Sequence, residues 1–307
     1  MISMISMATK PIKLFIRTAC LIIPFVVVTS TAFALHPLIT EDTGTQGKGK
    51  FELEFGFAYE RDNYLWERKS MQSLLDNEQG KGSARDRLYE FGAALAYGIS
   101  DSIDIELGLP FQHARSTEKG IYSCYDLGGS EPFWYEPRRS KSSVAGPSDM
   151  SLDIKWKFLE IGPSSFVLKP VMVFPTGNED DGLGAGLMGF EGYLVSTIDL
   201  SPLFIHINLG YIRSSNNQNE REDLWHISAA LEFWVIKEQL RLVGDAGFER
   251  NPDKSSRLQD VYVLGGIIYS PNPNIDLDLG FKSSLSPAGS ESPGADYSIL
   301  GGTTIRF

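Results

Sequence analysis

The residues best suited to chemistry are two histidines with polar neighbours two positions away: His206 with Asn208, and His226 with Ser228. A histidine beside a serine hydroxyl can take its proton and make it a nucleophile. Residues two apart in an extended chain are ~6.8 Å apart, too far for a direct bond without favourable rotamers. A polar ladder is therefore expected rather than a catalytic pair. A second set is acidic: Glu52, Glu54, Glu90, Asp104, Glu106, Asp153, Glu232, Asp245, Asp276 and Asp278. These could form a field that selects cations. They could equally pair with Lys155, Lys157, Lys169, Arg241, Lys282 and Arg306 and fill a narrow interior. Glu179, Asp180 and Asp181 are expected to be a solvated charge cluster rather than a divalent-cation site. The Gly182–Gly186 run joins two strands and precedes no helix, so it is not a phosphate loop. No Cys/His spacing resembles a zinc site, and neither a metal nor a cofactor is expected.

Most of these residues share a feature of placement: they sit on the polar side of a stretch that alternates with period two, the mark of a strand. In Phe51–Glu60, Phe51, Leu53, Phe55, Phe57 and Tyr59 lie opposite Glu52 and Glu54. In 297–307, Tyr297, Ile299, Ile305 and Phe307 lie opposite Arg306. Between them the pattern recurs at 89–97, 103–111, 150–158, 166–174, 188–198, 203–211, 225–235, 240–248, 261–269 and 275–281. That makes twelve strands. The register of 166–174, 188–198 and 261–269 is open, because both faces are apolar there and Pro170 interrupts the first. The apolar face of the twelve carries no Asp, Glu, Lys or Arg, and aromatic residues gather near the strand ends. Links after even-numbered strands are short, whereas 61–88, 112–149 and most other links after odd ones are long and polar. Uncharged outer faces, aromatic girdles and alternating loop lengths define a transmembrane antiparallel β-barrel of about twelve strands, with short periplasmic turns and long extracellular loops.

The start of the chain agrees. Lys10, Lys13 and Arg17 precede the apolar run Ala19–Val28, and Ala32-Phe33-Ala34 offers a small-x-small cleavage site. Residues 1–34 read as a secretory signal peptide, the run being shorter than the ~20 residues a spanning helix needs. Removing them deletes three of 28 basic residues and none of 39 acidic ones, taking the formal charge from −11 to −14. Such a chain has no basic stripe with which to bind nucleic acid. Cys124 is then the one remaining cysteine and has no disulfide partner within the chain. Residues 35–49, polar and glycine-rich, are expected to lie in the periplasm or enter the lumen, and 50–307 to form the barrel. An exported chain that sits in a membrane without a spanning helix must close into a barrel to satisfy its backbone.

The mature N-terminus, with His36-Pro37-Leu38, Thr40-Glu41-Asp42 and Gly47-Lys48-Gly49, resembles the opening of outer-membrane proteins of the "MetA-pathway of phenol degradation" family. Val173-Phe174-Pro175-Thr176-Gly177, Ile207-Asn208-Leu209-Gly210-Tyr211 and Pro273–Gly280 extend the resemblance over most of the mature chain. It implies an outer-membrane barrel of a Gram-negative bacterium acting as a transporter or channel, with a link to aromatic compounds, and it implies no particular binding residues. The His226–Ser228 pair is also similar to that of outer-membrane phospholipases. Here, however, Ala229-Ala230 follows the serine in place of their Asn-Gly, and Trp225 and Ile227 take the lipid side. The expected role is thus a non-enzymatic channel for small solutes, with a structural or adhesin-like barrel as the alternative, the 112–149 segment supplying Tyr122, Tyr125, Phe133, Trp134 and Tyr135. The expected partners are outer-membrane lipid, an unidentified small solute and, through the terminal Phe307, the barrel-assembly machinery. Deleting Phe307 should lower the amount of heat-modifiable protein in the outer membrane; unchanged assembly would remove this role from the terminus.

Overall fold

The computed structural model describes residues 38–68, 77–125, 132–213, 221–252, 254, 259–286 and 295–307; the expected signal peptide lies outside them. The described residues form thirteen strands in one antiparallel sheet: β1 (Phe51–Arg68), β2 (Asn77–Ser100), β3 (Ile103–Tyr125), β4 (Pro132–Pro147), β5 (Met150–Ile161), β6 (Ser164–Phe174), β7 (Gly189–Leu200), β8 (Leu203–Arg213), β9 (Asp223–Ile236), β10 (Leu240–Glu249), β11 (Asp260–Asn272), β12 (Ile275–Ser284) and β13 (Tyr297–Arg306). The sheet closes into a barrel of twelve staves, because β4 and β5 share one place beside β3. Phe111 pairs with Pro147 and Gly108 with Ser151, so the register slips by one residue at a bulge between them.

The seam joins the two ends of the barrel. β1 and β13 pair antiparallel from Glu52↔Arg306 to Arg61↔Tyr297. At the base, Phe51 and Phe307 exchange both backbone hydrogen bonds, at 3.3 and 2.9 Å. No edge strand is left at this seam, so its backbone groups need no solvent partner.

The alternation sorts residues as the sequence implied. Phe55, Phe91, Leu109, Trp156, Leu209, Ile227, Leu231, Leu242, Leu279 and Phe281 face outward and are exposed, whereas Glu90, Asp104, Asp153, His206, Asn208, His226, Asp245 and Asp276 face inward and are buried. Rings ladder across neighbouring staves at both rims: Tyr59 with Tyr89 (centroids 5.2 Å) and Tyr297 (6.2 Å) at one, Phe51 with Tyr97 (4.7 Å) at the other. The open registers resolve with Val167, Val171, Val173, Tyr193, Val195, Leu264 and Ile268 pointing inward. The interior therefore has apolar strips of its own.

One feature departs from expectation. The segments 61–88 and 112–149 are mostly strand rather than loop: β1 pairs with β2 up to Arg68↔Gly80, and β2 with β3 up to Asn77↔Tyr125. With β4 they build a four-stranded extension beyond the Tyr59–Tyr89–Tyr297 belt. Hydrophobic alternation stops at the belt because both faces of the extension are polar, but ladder pairing continues. The side chain of Cys124, on β3, lies outside the described residues, as do those of Tyr122, Tyr125, Phe133, Trp134 and Tyr135.

On the inner side of the extension, Asp62 lies directly opposite Asp86. Burial, then the nearby Asp296 and Asp86 carboxylates, push the Asp62 carboxyl up from its ordinary value of 3.8 to about 7. Tyr64 is also raised, by burial first and then by Asp86. A carboxyl with a raised folded pKa favours the folded arrangement at low pH and loses that advantage as pH climbs through the folded value. Amide exchange along 62–65 and 84–87, corrected for intrinsic rates, should show more opening at pH 8 than at pH 5. Asp62→Asn should flatten the dependence; an identical slope in that variant would refute it.

Candidate functional site: the lumen and the segment that crosses it

At the end where β1 begins and β13 ends, inward charges on five staves alternate in sign. Arg306 (β13) meets Glu52 (β1) at 2.7 Å and Asp276 (β12) at 3.0 Å. Asp276 also meets Arg241 (β10) at 2.8 Å, and Arg241 reaches Glu232 (β9) at 3.3 Å. Higher up, Lys282 lies 4.0 Å from Asp260, and Gln112 donates to Glu90 at 2.9 Å. Glu54, Glu106 and Asp278 face the same interior, Glu106 opposite Asp153. Lys157, near the turn, lies 3.9 Å from Glu160. Of the two arrangements open to the acidic ladder, pairing with inward cations is the one found for Glu52, Asp153, Glu232 and Asp276.

The remaining inward groups are engaged by the chain's own N-terminal segment. After leaving β1 at its base, the chain turns at Gly49 and Gly47, both with positive φ (80° and 84°). It then passes so close to β2 that a Cβ on Gly98 would sit 1.9 Å from the Gly47 carbonyl oxygen, so only glycine fits there. From there the segment crosses the barrel. The Gln46 N–H donates to Asp104 (2.9 Å) and the Gln46 amide to Glu52 (2.5 Å). The Thr43 N–H donates to the Thr197 hydroxyl (3.1 Å), and the Thr43 hydroxyl meets Ser165. Lys155 approaches Asp42 at 3.5 Å. Lys169, buried on β6, is held between Asp153 at 3.0 Å and Glu41. Asn208 treats Glu41 as a ladder partner: its amide nitrogen donates to the Glu41 carbonyl (3.1 Å), and its oxygen accepts the Glu41 N–H (2.6 Å).

On the far wall, one carboxylate takes three bonds from the segment. Asp245 accepts from the Ile39 and Thr40 N–H groups, both at 2.8 Å, and from the Thr40 hydroxyl at 2.9 Å. Leu38 then packs with Ala230, Val243, Leu264 and Ile268. Polar side chains of β3, β6, β7, β8 and β10 thus replace the strand partner that this stretch lacks. Removing one partner of a buried pair such as Lys169–Asp153 costs roughly 3–5 kcal/mol.

Sequence reasoning expected 35–49 in the periplasm or the lumen but gave Thr40, Glu41, Asp42, Thr43 and Gln46 no individual partners. Their signal was the density of short hydroxyl and acidic groups immediately before the first strand.

The histidines depart from expectation in one respect. His226 and Ser228 do meet: Nε2 and Oγ are 2.9 Å apart, and Nδ1 lies 3.2 Å from Glu249. Facing rotamers inside a curved wall close the distance that an extended strand opens. Ser228 is only 2% exposed, and its stave is laddered to β8 on one side and β10 on the other. His206 is elsewhere, its Nδ1 2.9 Å from Thr197. On the link between β6 and β7, Glu179, Asp180 and Asp181 form no metal-binding group among the described residues. That link is fixed instead by Asp149, which accepts from Gly177 (2.8 Å) and Ala185 (2.7 Å).

The sequence matches the family described as "Putative MetA-pathway of phenol degradation" over residues 97–295, more than half of the chain. The chain belongs to this family. Among solved structures it is similar to an outer membrane channel from Pseudomonas putida F1, at 11% identity and a TM-score of 0.56, covering 87% of this chain and 98% of that one. A FadL homologue from Pseudomonas aeruginosa aligns at 8% identity and a TM-score of 0.44, covering 87% and 97%. No curated protein matches the sequence. The fold is that of an outer-membrane β-barrel.

Asp245→Ala removes all three bonds to Ile39 and Thr40. Docking of the segment should weaken by about 3 kcal/mol, on the order of a hundredfold faster amide exchange at those two residues. Unchanged exchange there would mean that Asp245 does not hold the segment.

Proposed function

We propose that this protein is a channel in the outer membrane of a Gram-negative bacterium, exported through a cleaved signal peptide, that passes small aromatic or apolar molecules when Leu38–Gln46 leaves the lumen. One observation carries the reading: the segment is held across the interior by side chains and makes no ladder with any stave. Its release would cost hydrogen bonds and ion pairs but would leave every strand pairing of the wall intact. A twelve-stranded wall has a backbone radius on the order of 12 Å, enough for a small solute once a crossing segment withdraws.

The solute class is read from the inner surface beside and above the segment. Val167, Val171, Val173, Tyr193, Val195, Ile212 and Leu224 form a buried apolar cluster on β6 to β9. Such a strip stabilises an apolar ring by contact, while the flanking charges satisfy one another. The family's description, phenol degradation, suits the same class, and the similar Pseudomonas putida protein is an outer membrane channel. A surface-interaction role would place the activity on the extension instead, and a lipid hydrolase would need Ser228 open to lipid.

Planar-bilayer recordings and liposome uptake of phenol-sized solutes test the proposal. Low or flickering conductance is expected from the mature protein, and several-fold higher conductance after deletion of residues 38–46. If neither protein conducts and neither admits solute, the channel reading fails and a surface-interaction barrel is the better account.

A further inference from the structure

The outward face of the four-stranded extension differs from the rest of the surface. Below it, the lipid-facing wall is apolar up to Tyr59, Tyr89 and His113, which lie side by side, the Tyr59–Tyr89 and Tyr89–His113 rings 5.2 and 5.8 Å apart. The next outward rows are set by strand register. One holds Arg61, Arg87 and Arg115; the next holds Arg85 and Lys141; the third holds Lys119 and Arg139. Rows on one face of a strand are ~6.8 Å apart, so seven cations occupy a patch of about 15 Å in each direction. Among the described residues no acidic side chain shares this face in those rows, although the chain's formal charge is −11. Asp62, Asp86 and Glu118 point inward on the reverse side, and Asp296 meets the face at its edge, where it accepts from the Asn63 amide at 2.9 Å.

The guanidinium groups are set but not neutralised. Arg85 Nε donates to the Asn63 amide oxygen (3.0 Å), and Arg115 Nε to His113 (3.1 Å). Among the described residues, neither they nor Arg87, Lys119, Arg139 and Lys141 form an ion pair. Six of the cations, with Thr117, Ser142 and Ser143 among their neighbours, line a concave surface of about 680 Å³. Like charges directly opposite one another are unfavourable in a sheet. Two such rows, Arg61–Arg87–Arg115 and Lys119–Arg139, with Arg85 and Lys141 on either side of Thr117 between them, make sense where a polyanion is present at that height.

We propose that this face binds the phosphorylated sugar headgroup of lipopolysaccharide in the outer leaflet. The proposal rests on the outer-membrane placement argued above, because the patch begins immediately above the belt that marks the edge of the apolar zone. Guanidinium groups bind phosphate in forked pairs, and each basic residue near an anionic lipid surface adds to the attraction. Acyl chains beneath the headgroup would lie against Phe57, Phe91 and Phe111, which face outward below the belt. The headgroup thus has its phosphates at the cations and its chains at the apolar wall.

The test uses the mature protein in detergent with fluorescent lipopolysaccharide, a dephosphorylated form of it, and phosphatidylglycerol vesicles. Phosphorylated lipopolysaccharide should bind at least about tenfold more tightly than either competitor. The variant Arg85→Gln/Arg115→Gln/Arg139→Gln/Lys141→Gln should lose that margin, whereas Lys50→Gln/Lys237→Gln, away from the patch, should keep it. Equal affinity for the dephosphorylated form, which needs no variant, would overturn the proposal. So would equal affinity for phosphatidylglycerol, or full affinity in a correctly folded fourfold variant. A protein that fails to insert into any lipid would instead count against the membrane placement itself.

Discussion

In hydrocarbon, a backbone N–H or C=O without a partner costs several kcal/mol, and this constraint shapes the whole chain. Closure at the β1–β13 seam satisfies it, from the paired termini at Phe51 and Phe307 to Arg61↔Tyr297 at the far belt. Closure forces the division between faces. Every second residue meets lipid, where a charge at mid-depth costs about 2–4 kcal/mol, so ionisable side chains must take the alternate positions. Glu52 and Arg306, on the seam itself, show the result, an ion pair turned inward at 2.7 Å.

An interior so rich in charge must then find partners for it. The wall supplies many, as in the Glu52–Arg306–Asp276–Arg241–Glu232 chain. The N-terminal segment supplies others: Asp245 uses its carboxylate on Ile39 and Thr40, and Lys169 takes Glu41 besides Asp153. The same side chains therefore complete the interior and hold the segment across it. On the channel reading proposed above, an element held in this way could be released without opening the sheet, which would separate gating from barrel stability.

The barrel was legible in the sequence because lipid excludes charge: Phe51–Tyr59 against Glu52 and Glu54 can be read in one orientation only. Where the interior is apolar too, that contrast disappears. Val167, Val171, Leu264 and Ile268 look like lipid-facing residues until the cluster around Val195 and the packing of Leu38 give them an inner role. The extension was hidden for the opposite reason. Arg85, Arg87 and Arg115 alternate with Asp86 and Ser116, polar on both sides, and only pairing reveals the strands. The His226–Ser228 contact depends on side-chain rotamers, which residue spacing does not specify. The crossing segment is bound by contacts 205 residues apart in sequence, as at Thr40 and Asp245, and no local pattern encodes such a distance.

Whether the segment governs passage can be measured with a reversible tether. The Thr40 hydroxyl and the Asp245 carboxylate meet at 2.9 Å, so cysteines at both positions, in a Cys124→Ser background, would fasten the segment to β10 when oxidised. Single-channel current recorded across one bilayer should be suppressed by oxidant and return on reduction, repeatedly. Equal current in the oxidised and reduced states, with the cross-link verified, would contradict the gate.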